Sequence, residues 1–89
     1  MTPDNGAIPE THESDDVDLA VLERLLSMAQ TYRSEGSVRQ AMEMFWELVE
    51  DFSGTPQAQV ARKALLDLAM SYERSGARRE ARSIYERLV

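Results

Sequence analysis

The side chains able to do chemistry are few and badly placed for it. The only histidine, His12, stands between Thr11 and Glu13, and cysteine is absent. A triad or a zinc site therefore has no imidazole or thiolate set to build on. Glu43 and Glu47 lie one helical turn apart, but Glu50 and Asp51 beside them make the group read as a solvated outer face rather than an acid–base pair. No phosphate-binding or dinucleotide-binding glycine motif and no H-E-x-x-H occurs. The expectation is a chain with no catalytic residue, no metal ligand and no cofactor. Arg74, Arg78, Arg79 and Arg82 are the one basic cluster, and a nucleic acid or an acidic ligand could use it. Glu73, Glu80 and Glu86 are interleaved with them and no aromatic platform accompanies them, which disfavours nucleic acid. The simpler reading pairs this cluster with Glu43, Glu47, Glu50 and Asp51 of the first half of the chain, across neighbouring copies, or with a partner.

Charge divides the chain. Of its sixteen acids, Asp4, Glu10, Glu13, Asp15, Asp16 and Asp18 precede the first base, Arg24, whereas from Leu19 onward ten acids meet ten bases. The net charge of −6 thus belongs to the N-terminal segment and the remainder is balanced. Residues 1–15, with Pro3, Gly6 and Pro9 and no helical or strand period, read as a disordered acidic leader before a single domain over 16–89. No stretch approaches the roughly 20 apolar residues of a membrane span, and the N-terminus lacks the pattern of a signal peptide, so a cytoplasmic location away from membranes is expected.

The elements that must position any site are helices. Val21, Leu25, Met28 and Tyr32 step by four, three and four, widened by Leu19, Leu22, Leu26 and Ala29, and predict a first helix over about 16–34. Gly36 stops it, and Ser37 with Gln40 reads as a capping box opening a second helix on Ala41, Phe45, Leu48 and Phe52. Ser53-Gly54-Thr55-Pro56 supplies a turn, an N-cap and a proline at the first helical position. A third helix follows on Ala58, Ala61, Leu65, Leu68 and Tyr72. Beyond Gly76, a fourth carries Ala81, Tyr85 and Leu88.

The strongest signal is internal repetition. LLSMAQTYRSEGSVRQAMEMFWELV from Leu25 and LLDLAMSYERSGARREARSIYERLV from Leu65 are identical at nine of twenty-five positions at an offset of forty. The shared residues have physical roles: Ala29/Ala69 and Ala41/Ala81 permit close helix approach, and Gly36/Gly76 can end a helix in the left-handed conformation. Their order, A-x-x-Y-x-x-x-G-x-x-x-x-A-x-x-x-[FY], resembles the tetratricopeptide repeat over about residues 20–89. Two departures stand out: the offset exceeds the usual repeat of about thirty-four, and the Trp-x-x-Leu-Gly opening is missing. The resemblance implies an all-α fold of two helix-turn-helix repeats, 16–53 and 56–89, in a short right-handed superhelical array. A plain antiparallel four-helix bundle is the alternative, and the repetition favours the array.

The resemblance also implies a function class, a protein–protein interaction module serving as scaffold, adaptor or assembly factor, with no enzymatic activity of its own. An accessory subunit of an enzyme complex falls within the same reading. First helices of such arrays line a groove, which places Glu23, Leu26, Gln30, Arg33 and Ser34 there from repeat one and Lys63, Leu66, Met70, Glu73 and Arg74 from repeat two. These do not match the Lys/Asn clamp of chaperone-binding repeats, so a protein or peptide partner of another kind is expected. The copies differ at one flank, where Val38, Met42 and Trp46 stand against Arg78, Arg82 and Glu86. That apolar flank reads as an interface or as a surface covered by the leader or the first helix. Ile84, Leu88 and Val89 read as an uncapped apolar end. With a folded part of only some 70 residues, these surfaces predict a homo-oligomer, most simply a dimer.

Overall fold

The computed structural model describes the backbone of residues 3–89 and the side chains of residues 19–89. Four helices follow in order: α1 (Pro3–Ser34), α2 (Val38–Asp51), α3 (Pro56–Arg74) and α4 (Arg78–Leu88). α1 begins upstream of the start read at Asp16, over a segment whose sequence has no apolar period to announce a helix. The leader expectation, including Ile8, Pro9 and His12, falls outside the residues whose side chains are described.

The turns explain why the chain breaks where it does. Gly36 and Gly76 have φ near +88° and +87°, a region closed to most side chains. Around the first, the Ser37 N–H donates to the Tyr32 carbonyl (2.8 Å) and the Gly36 N–H to Arg33 (3.1 Å); around the second, Ala77 donates to Tyr72 (2.8 Å) and Gly76 to Glu73 (3.0 Å). Both are the paired bonds of a left-handed helix C-terminus, so the two copies turn identically. The same geometry overrides the capping box read at Ser37: ψ there is 67°, outside the extended range a capping side chain needs, and the hydroxyl caps nothing. Thr55 does cap. Its ψ is 155°, its Oγ1 accepts from the Ala58 N–H at 3.1 Å, and Pro56 follows at the first helical position.

Packing decides between bundle and array. α1 lies against α2 and α3, α2 against α3, and α3 against α4, while among the described residues α1 and α4 do not meet. A closed four-helix bundle would bring first and last helices together, so the fold is an open all-α repeat array. Its core joins Leu22 and Ala29 of α1, Ala41, Phe45 and Leu48 of α2, Ala61, Leu65, Leu68 and Ala69 of α3, and Ala81, Ile84 and Leu88 of α4. Each buried large side chain contributes about 1.5–3 kcal/mol. Phe52, Tyr72 and Tyr85 are only half-buried at the edge of this core.

The stripe read on α1 needs correction. Leu22 and Ala29 carry its core contact, whereas Leu19, Val21 and Met28 are exposed. α2 and α3 both lie on the Leu22/Ala29 side, and nothing among the described residues covers the other edge of the stripe.

Candidate functional site

The residues expected to line a groove are accessible. Glu23, Gln30, Lys63, Leu66, Met70, Glu73 and Arg74 are exposed, and Leu26 and Arg33 are half-buried. Spacing explains the arrangement: Glu23, Leu26 and Gln30, and likewise Lys63, Leu66 and Met70, step by three and four along one face of their helices. The two helices are tied at one end of this face, where Gln57 Nε2 donates to Glu23 Oε2 at 2.6 Å. Gln57 is itself buried and its Oε1 has no partner among the described residues. At the other end Glu73 accepts a hydrogen bond from the Tyr85 hydroxyl at 2.8 Å. That bond holds the Tyr85 hydroxyl above its ordinary pKa, because the carboxylate favours the protonated phenol.

The flank at Val38, Met42 and Trp46 belongs to the junction between the repeats rather than to a free surface. Trp46 is only 6 % exposed. The Arg87 guanidinium of α4 lies over its ring, 4.3 Å from the centroid, and forks onto Glu50 of α2 with Nε–Oε2 2.7 Å and Nη2–Oε1 2.9 Å. A planar cation stacked on an aromatic face while gripping a carboxylate with two bonds is a geometry lysine could not reproduce. The pair sits at the surface, with the side chains of Arg87 and Glu50 51 % and 44 % exposed, so its role is alignment more than stability. The bond to Arg87 lowers the Glu50 pKa and raises that of Arg87. Met42, Trp46, Ile84 and Arg87 also line an open crease between α2 and α4. Val38 and Met42 are half-buried against the core.

This is the charge pairing that sequence placed at Arg74, Arg78, Arg79 and Arg82. All four of those are exposed, and Arg82 pairs within its own helix to Glu86 at 2.8 Å. Of the interleaved acids, Glu86 supplies this local partner, while Glu73 accepts from Tyr85. Arg87 was legible only as one more surface base; its position opposite Trp46, one turn from Glu50, depends on how the repeats stack.

The apolar end also needs correction. Ile84 and Leu88 are buried, at 2 % and 7 % exposure, because α3 packs over them, and only Val89 is exposed. The Leu88 carbonyl accepts from Arg62 Nη2 of α3 at 2.8 Å, so a terminal acceptor of α4 is satisfied from the neighbouring helix. α4's outward positions Arg78, Arg82 and Glu86 are the counterparts of the junction residues Val38, Met42 and Trp46. Trp46 is buried and Val38 and Met42 are half-buried, whereas Arg78, Arg82 and Glu86 face solvent.

Residues 63–89 match the tetratricopeptide repeat family model. The chain carries a tetratricopeptide-like repeat. The match covers repeat two, and the four-helix array with its duplicated turn at Gly36 and Gly76 extends the same architecture to repeat one. In general terms such a repeat is a protein–protein interaction module. Comparisons with curated proteins and with solved structures give no match. No helix among the described residues is long and apolar enough to cross a membrane, and no group of three or more potential metal ligands gathers among them.

Proposed function

We propose that the chain is a non-catalytic interaction module that receives an amphipathic helix or extended peptide of a partner protein along the face shared by α1 and α3. One observation carries the reading: Leu66 and Met70, one turn apart on α3, are exposed large apolar side chains, and Leu26, the counterpart of Leu66 on α1, is half-buried. Apolar centres rimmed by charge are the chemistry of peptide grooves. Here the rim is Glu23, Gln30 and Arg33 on one side and Lys63, Glu73 and Arg74 on the other. Opposite charges on both helices favour a partner segment of mixed charge, with register set by pairing and affinity by the apolar centre.

A library of displayed amphipathic peptides, selected on the whole chain, tests this. Recovered peptides are expected to lose about tenfold or more in affinity, or 1.4 kcal/mol, for a Leu66→Glu, Met70→Glu double variant whose helicity is unchanged. Selected peptides that bind the variant as well as the parent chain would place the site elsewhere.

A further inference from the structure

The internal repeat supplies its own control for what an apolar helix face requires. On α3, which lies against α1, α2 and α4, Ala61, Ala64 and Leu68 are buried. Forty residues earlier, α1 places Val21, Arg24 and Met28 at the corresponding positions. There Val21 is 43 % exposed against 0 % for Ala61, and Met28 is 38 % exposed against 7 % for Leu68. The face of α1 is built like a covered face and is open among the described residues.

Two features say what can cover it. Head-to-tail addition of another copy would lay α4 of one chain on the first repeat of the next, reproducing the junction between α2 and repeat two. Moving the junction contact of Trp46 with Arg87 along by one repeat sets Glu86 of one copy against Glu47 of the next, acid on acid in place of a cation on a ring. Arg24 also stands where Ala64 allows close helix approach, so an unaltered repeat could not pack there. Open-ended stacking is therefore disfavoured by charge and by volume.

A two-fold arrangement has neither problem. The exposed face holds an open depression of about 280 Å³ lined by Ser27, Met28, Thr31 and Tyr32. Arg24 on α1 and Glu35, the first residue past its C-terminal end, lie equally far in sequence on either side of the depression's centre, and both are exposed. Neither forms an ion pair among the described residues. Glu35 keeps the helical register, since its N–H donates to the Thr31 carbonyl at 3.0 Å. An antiparallel α1 from a second copy, with its axis of symmetry through the depression, sets Met28 against Thr31, Ser27 against Tyr32, and Arg24 against Glu35, each contact occurring twice.

We propose that α1 is an isologous dimer interface in which two copies pack antiparallel across Met28, locked by reciprocal Arg24–Glu35 pairs. This face is distinct from the Leu66/Met70 groove and does not depend on it. Sedimentation equilibrium of the full chain over a wide concentration range tests it. A dimer is expected whose dissociation constant rises about tenfold or more for Met28→Glu, Arg24→Glu or Glu35→Arg, with helicity unchanged. Symmetry makes a sharper demand: mixing Arg24→Glu with Glu35→Arg restores both pairs in a heterodimer, as does combining the two changes in one chain. Three results would overturn the proposal. These are a monomer at millimolar concentration, a dimer insensitive to these changes but lost in Leu66→Glu, Met70→Glu, and a monomer that instead takes up helical peptides through Met28.

Discussion

Met28 and Leu68 occupy the same place in two copies of one repeat, on helices of the same pattern, and meet opposite fates. Leu68 is buried within the array, at 7 % exposure, whereas Met28 stands 38 % exposed among the described residues. The same holds one layer later, where Trp46 is covered by Arg87 while its counterpart Glu86 faces solvent and pairs with Arg82. The α4 side is finished by charge and the α1 side is left apolar. Position in the array, more than local sequence, decides what each face does.

That comparison can be broken or sharpened by paired substitutions. The largest effect is expected at the junction: Trp46→Ala should cost about 3–5 kcal/mol of unfolding free energy, since it removes a buried ring and the platform under Arg87. Urea titration at a concentration where the chain is monomeric would measure it. Leu65→Ala is expected to cost about 2–5 kcal/mol, whereas the same change at its half-buried counterpart Leu25 should cost well under half as much. Equal losses would mean that α1 is covered as fully as α3.

The caps give a smaller contrast. Thr55→Ala should cost about 1 kcal/mol because its hydroxyl holds the Ala58 N–H, and Ser37→Ala should be nearly neutral because its side chain bonds no helix N–H. Thermal or urea unfolding of the two variants side by side would show the difference.

The smallest effect is electrostatic. Arg87 holds the Glu50 pKa below its unfolded value, so the pair's contribution is complete above the ordinary carboxylate range and fades as pH falls through the lowered value. Glu50→Gln should flatten that part of the pH–stability curve and leave neutral-pH helicity unchanged.

These contrasts also mark what could be read from residues alone. The four helices, the stops at Gly36 and Gly76 and the Thr55-Pro56 start were legible because each rests on a neighbour within four or five positions. The stripe Val21, Leu25, Met28, Tyr32 was legible as apolar, but a stripe does not say what covers it, and its buried edge proved to be Leu22 and Ala29. Ile84 and Leu88 read as exposed because no residue close to them in sequence covers them; α3, ten or more residues earlier in sequence, hides them instead. Ser37 looked like a cap because its spacing to Gln40 is right, yet the glycine turn before it sets a ψ that turns the hydroxyl away. Of the residues that the resemblance assigns to the groove, Leu66 and Met70 are exposed, whereas the tie between Gln57 and Glu23 joins residues 34 apart and had no local signal.

The most direct measurement of the central claim compares Met28→Glu with Leu68→Glu in dilute solution, followed by urea unfolding. The expected result is a Met28→Glu chain whose midpoint stays near that of the parent and a Leu68→Glu chain that is largely unfolded, because only the second buries an unpaired charge. Comparable loss of stability in both would contradict the account, since α1's exposed stripe would then be part of the chain's own core.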